Sequence, residues 1–178
     1  MITRFRTFFT ALATCCLPAA TLPAIELGDP APEVKAEIVD ADGKKVDLAK
    51  AFAKGYTLVY FYPKADTPGC TKQGCSVRDN TEKLKAKGVR VIGVSGDSVK
   101  AQRAFSDKFK FKFTLLADTD KKVIDAFGVP KTLGMPKRQA FLIYDGKLIW
   151  KNEKVTPTAM VTEVLAAIEK GKKDTEVK

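Results

Sequence analysis

The sequence predicts an α/β fold in which a mixed central sheet carries helices on both faces. Three observations predict it. Short apolar runs at residues 56–62, 89–95 and 139–144 read as buried strands. Helix-period segments separate the earlier strands, the order that builds a parallel sheet. Asp42-Gly43 and Asp145-Gly146 mark tight turns between extended segments, so antiparallel hairpins flank that sheet. With 178 residues and 45% hydrophobic content, the chain has enough material for one domain with a sizeable core.

Each element has a local reason. Residues 36–39 and 45–48 are the arms of an N-terminal hairpin around Asp42-Gly43. Residues 58–62 are a central strand. A helix over 67–87 starts with Thr67 as N-cap and Pro68 at the first helical position, where a missing N–H costs nothing. Gly88 ends it. Residues 89–95 are a second buried strand. Ser98 caps a helix to residue 109, residues 113–116 are a short strand, and Gly128 closes a helix over 120–127. Residues 139–144 and 148–152 pair around Asp145-Gly146. Thr156-Pro157 opens a last helix whose Val161, Val164, Leu165 and Ile168 share one face. Residues 25–170 form the domain, and 171–178 read as a polar tail.

The segment from Asp66 to Cys75, DTPGCTKQGC, carries the chemistry. Cys70 falls in the first turn of the helix, facing unpaired backbone N–H groups and the positive end of the helix dipole. Such positions favour the thiolate, the reactive form of a thiol. Cys75 follows five residues later. A structural disulfide is one reading of the pair. Closing so short a loop stabilises little, which favours redox work instead. Gly69 lets backbone N–H groups approach a ligand, and Pro63 and Pro68 shape the surroundings of the thiol. Thr67 serves as a cap, as a hydroxyl donor to sulfur or substrate, or as both.

The chain has no histidine, which excludes Cys-His hydrolases and transferases that use imidazole as base. Activation then falls to backbone donors or a cation. Arg138 opens a strand, and its fork of donors could hold a thiolate and a substrate oxygen together. The plain alternative is a surface arginine in the basic pair Lys137-Arg138. A structural zinc site wants four ligands, and a thioredoxin-type dithiol would show Cys-x-x-Cys. A metal-binding module and a thiol–disulfide oxidoreductase are thus the weaker alternatives. A net charge of +10 without an aromatic platform points to solubility rather than nucleic acid.

Pro63, Thr67 and Cys70 match the Pro-x-x-x-Thr-x-x-Cys signature of peroxiredoxins. The longer string FYPKADTPGCT, with Cys75 beyond it, resembles the peroxiredoxin Q branch, also called bacterioferritin comigratory protein. The likeness extends through LGDPAP (27–32), Asp42-Gly43-Lys44, Arg78-Asp79-Asn80, VIGVS (91–95) and RQAFLI (138–143), covering about residues 25–170. Gln73 stands where many relatives carry Glu, and Ala140 where they carry Thr or Ser.

The resemblance implies a thioredoxin-like fold with an N-terminal hairpin added. It also implies a peroxidase for hydrogen peroxide and organic hydroperoxides. Cys70 would attack the peroxide, Arg138 and Thr67 would assist, and Cys75 would resolve the sulfenic acid. A thioredoxin-like protein would serve as reductant, with no cofactor or metal and a monomeric chain.

The first 24 residues differ in kind. Arg4 and Arg6 precede an uncharged stretch, 7–24, rich in Phe, Ala, Leu and Cys, and no acid appears before Glu26. This pattern predicts a signal peptide, a periplasmic or otherwise exported protein, and no membrane span after processing. Cys15 and Cys16 would leave with it.

Overall fold

The computed structural model describes residues 24–176. Its elements are β1 (Val39–Asp40), α1 (Leu48–Phe52), β2 (Tyr56–Phe61), α2 (Pro68–Asp79), α3 (Thr81–Ala86), β3 (Val89–Ser95) and α4 (Val99–Phe109). They continue with β4 (Thr114–Ala117), α5 (Lys122–Ala126), β5 (Lys131–Thr132), β6 (Met135–Pro136), β7 (Gln139–Tyr144), β8 (Lys147–Asn152) and α6 (Met160–Glu176). Six strands form one sheet in the order β1-β4-β3-β2-β7-β8. β2, β3 and β4 run parallel, whereas β1, β7 and β8 pair antiparallel with their neighbours.

The pleat divides the core in two. Along β2, Leu58 and Tyr60 enter one cluster with Val77 of α2, Phe105 of α4 and Val161, Val164 and Ile168 of α6. Val59 and Phe61 enter the other, with Phe52 of α1 and Val123 and Ile124 of α5. Both faces of the central strands are buried, which is why these strands read as continuous apolar runs.

Several boundaries differ from expectation for local reasons. The helix expected over 67–87 breaks at Asn80. The Asn80 side chain donates to Ser76 O, and the Thr81 hydroxyl donates to Val77 O and Arg78 O. Such back-bonding competes with the helical ladder and bends it. The N-terminal hairpin is short. Its turn is closed by Asp40 Oδ1, which accepts from Asp42 N and Lys44 N, and its arms share a single bridge, Val39–Lys45, among the described residues. The chain then turns into α1, capped by Asp47 and absent from the sequence reading. The β5–β6 hairpin was also unforeseen. It turns through Leu133 and Gly134, both at positive φ, 51° and 76°. The last helix starts three residues beyond Pro157 and runs to Glu176, through most of the expected tail.

Candidate active site

β2 delivers the chain to the sheet's carboxyl end at Phe61, and residues 62–67 lead into α2. Thr67 has extended backbone at the N-cap position and Pro68 takes the first turn, as expected. The capping bond itself is not made: the Thr67 hydroxyl donates back to Lys64 O at 3.0 Å. Cys70 lies in the first turn, only 2% exposed, and both Cys70 and Cys75 are free thiols.

Arg138, directly before β7, comes 68 residues after Cys70 in sequence and meets it in space. Arg138 Nη2 donates to Cys70 Sγ at 3.3 Å. Pairing of β7 with β2 makes this possible, because Gln139 lies opposite Phe61 and sets the arginine beside the start of α2. Gly69 leaves the space the guanidinium fills, since a β-carbon there would sit 3.2 Å from Nη2. A charge-assisted donor aimed at sulfur stabilises the thiolate.

Gln73, fully buried one turn beyond Cys70, accepts a hydrogen bond from Arg138 Nη1. Its amide nitrogen approaches the Met160 sulfur at 3.1 Å. The guanidinium is therefore held by two residues of α2, one at each end of its fork. Sequence reading missed this role for Gln73. The available signal was a polar residue three positions after Cys70, on the same helical face.

Pro63 and Arg138 line an open pocket of about 560 Å³ together with Met135, Pro136, Lys154 and Val155. Cys70 sits behind Arg138 rather than on the pocket wall, and Thr67, Pro68 and Gly69 do not line it. Cys75, half-buried in the middle of α2, packs against the same core cluster as Cys70. Beneath the site, burial pushes the Tyr60 and Tyr62 phenols well above their ordinary range, so both stay protonated. Among the described residues no cluster of three or more His, Cys, Asp or Glu could hold a metal ion.

The strand order and the helices on both faces are those of the thioredoxin-like fold. Residues 27–151 match the AhpC/TSA family, and the chain belongs to it, within the peroxiredoxin Q branch. Chloroplastic peroxiredoxin Q of Sedum lineare is 39% identical over 135 residues, covering 73% of this chain and 72% of that protein. Chloroplastic peroxiredoxin Q of Suaeda salsa is 47% identical over 106 residues, covering 58% of this chain. This chain spans only 49% of that relative's length. A structure of a cysteine-to-serine mutant of Xanthomonas campestris peroxiredoxin Q superposes with a TM-score of 0.73 at 32% identity, covering 82% of this chain and 97% of that one.

One expectation is corrected here. The periplasmic localisation read from the first 24 residues does not hold against these relatives, which are named as chloroplastic proteins. A basic, acid-poor N-terminus is common to secretory leaders and organelle transit peptides, so that pattern alone does not select the periplasm. Residues 1–23 lie outside the described residues. No helix among the described residues is long and apolar enough to cross a membrane.

Proposed function

We propose that this chain is a thiol-dependent peroxidase for hydrogen peroxide and organic hydroperoxides, with Cys70 as the attacking residue and Cys75 as the resolving one. The observation that carries the reading is the 3.3 Å contact of Arg138 Nη2 with Cys70 Sγ in the first turn of α2. The Cys70 thiolate attacks one peroxide oxygen. An S–O bond forms as the O–O bond breaks, and the departing oxygen takes a proton and leaves as water or alcohol. Arg138 donors facing the sulfur and the reacting oxygens lower this barrier. Cys70 is then a sulfenic acid. The Cys75 thiolate attacks it, hydroxide leaves as water with one proton, and a disulfide remains. A thioredoxin-like dithiol reduces that disulfide and restores both thiols.

This cycle demands movement. Both cysteines lie in the continuous helix α2. Five helical residues advance about 7.5 Å and rotate about 500°. A disulfide needs Cβ atoms about 3.5–4.5 Å apart. The first turns of α2 must therefore unwind for the disulfide to form. Gly69 and Gly74 ease this, each disfavouring helix by roughly 1 kcal/mol relative to Ala.

The test is peroxide consumption with a thioredoxin-like reductant, followed by non-reducing peptide mapping. Wild type should consume peroxide and yield an intramolecular Cys70–Cys75 link. Cys70→Ser should be inactive yet folded; near-wild-type turnover in this variant would remove Cys70 from the role. Cys75→Ser should stall after one turnover, and unimpaired cycling would show that an external thiol resolves Cys70.

A further inference from the structure

The loop from β2 to α2 holds Pro63 and Thr67, yet few of its own groups bond to one another. Its position comes from outside. Ala65 N–H donates to Asp97 Oδ2 at 2.7 Å, and the Ser95 hydroxyl donates to the same oxygen at 2.7 Å. Ser95 Oγ in turn accepts from Gln102 Nε2 at 2.8 Å, and that nitrogen also donates to Leu116 O at 2.8 Å. Tyr62 OH completes the chain by donating to Gln102 Oε1. Ser95 and Gln102 are fully buried and Tyr62 nearly so. A buried polar chain with its members partnered is rigid. This one joins the ends of β2 and β3 to β4 and α4. Tyr62 anchors the start of the loop, and the Asp97 carboxylate holds its middle at Ala65.

None of these residues belongs to α2. The chain therefore has no bond to lose when α2 unwinds. Resting on the peroxidase reading, we propose that Asp97 is a positioning residue. Its carboxylate fixes the loop that places Pro63 and Thr67 around Cys70, and it does so whether α2 is helical or open. The peroxide site is then half permanent and half transient. Asp97 and the polar chain hold the loop throughout the cycle, whereas Arg138 is held by Cys70 and Gln73 only while α2 is helical. A second tether supplies the contrast. Lys108 of α4 pairs with Asp66 at 2.7 Å on the same loop, but both side chains are about half exposed. Such pairs are screened by water and contribute little.

The test separates oxidation of Cys70 from the later steps by stopped-flow single turnover. In Asp97→Ala the rate constant for oxidation by hydrogen peroxide should fall at least about tenfold, because small misplacements of a reacting group cost up to about 100-fold. Disulfide formation after oxidation should keep its wild-type rate. Asp97→Asn should recover oxidation to within about threefold, since one amide oxygen can accept both donors. Lys108→Ala should stay within about twofold. Amide exchange of wild type guards against a variant that fails to fold. The Ala65 amide should remain protected in both dithiol and disulfide forms, while α2 amides lose protection in the disulfide. Wild-type oxidation rates in Asp97→Ala, or an Ala65 amide that opens together with α2, would overturn the proposal. Failure of the wild type to react with peroxide would instead overturn the peroxidase reading.

Discussion

On one face of the sheet, Phe52, Phe61, Phe127 and Phe141 meet ring to ring. Phe127 touches the other three at centroid distances of 6.0, 5.3 and 5.1 Å. On the opposite face, Phe105, Phe109, Phe111 and Phe113 also cluster, but they share their core with Cys70, Gln73, Gln102, Tyr60 and Tyr62. The helices differ in the same way. α5 inserts Val123 and Ile124 into the first core. α2 inserts Cys70 and Val77 into the second, and between them it meets that core through a glycine: a β-carbon on Gly74 would lie 2.5 Å from the Phe111 ring. A helix seated on side chains is costly to remove. One seated partly on bare backbone forfeits less apolar burial when its first turns lift. The first face holds the fold, and the second holds a reactive group in an element that can be released.

If that division is right, the largest effect on stability comes from the side without the cysteines. Phe127→Ala should cost about 3–5 kcal/mol in denaturant unfolding, the range for large buried aromatics. Peroxide turnover per folded molecule should stay near wild type. A loss of turnover without a loss of stability would break the comparison. Arg138→Ala should do the reverse, lowering kcat/KM for peroxide by about 10²–10³ with little change in unfolding free energy. Arg138→Lys keeps the charge but not the fork that spans Cys70 and Gln73, so it should remain strongly impaired. Full activity in the lysine variant would show that charge alone suffices.

The two faces were not equally legible in the sequence. β2 and β7 could be read because burial on both sides makes them continuous apolar runs. The start of α2 could be read because Thr67, Pro68 and Cys70 are neighbours in the chain. Arg138 could be proposed from its position but not told from a surface arginine without the family resemblance, since its partner lies 68 residues away and strand pairing brings them together. The links of Gln73 to Met160 and of Asp97 to Ala65 leave no local pattern. α1, of five residues, is too short to show a period, and the Leu133-Gly134 turn lacks the usual Asn or Asp. The break at Asn80 came from side chains that bond backwards along the helix, which apolar periodicity does not register.

A smaller effect probes the polar face directly. Tyr60 is buried, and its hydroxyl has no hydrogen-bond partner among the described residues. Its ring lies over Gly93 on the adjacent strand, where a β-carbon would come within 2.7 Å of the hydroxyl. An unmade hydrogen bond in the core costs the desolvation of that group, so Tyr60→Phe should raise stability by about 1 kcal/mol. Peroxide turnover should not change, because no Tyr60 contact with Cys70 or Arg138 enters the mechanism. Destabilisation would mean that the hydroxyl has a partner after all, and the polar face would then be better satisfied than this comparison holds.

The smallest effect belongs to a carboxylate buried on the α5 side. Asp118 follows β4 and is 1% exposed. Its Oδ2 accepts from Ile124 N at 2.9 Å, tying β4 to α5, while Oδ1 has no hydrogen-bond partner among the described residues. Burial pushes its carboxyl above the ordinary carboxylate range, although α5 backbone donors and Lys121 act in the opposite direction. The folded state therefore keeps this proton at pH values where the unfolded chain has released it. In that window the folded state binds more protons, so unfolding free energy falls as pH rises. The window opens near the unfolded value of about 3.9 and closes at the raised folded value. Asp118→Asn cannot titrate and keeps an oxygen to accept the Ile124 amide. Urea midpoints measured from pH 4 to pH 7 should therefore decline less in the variant than in wild type. Parallel pH profiles would show that Asp118 titrates alike in both states, and that this side of the sheet carries no buried charge cost at all.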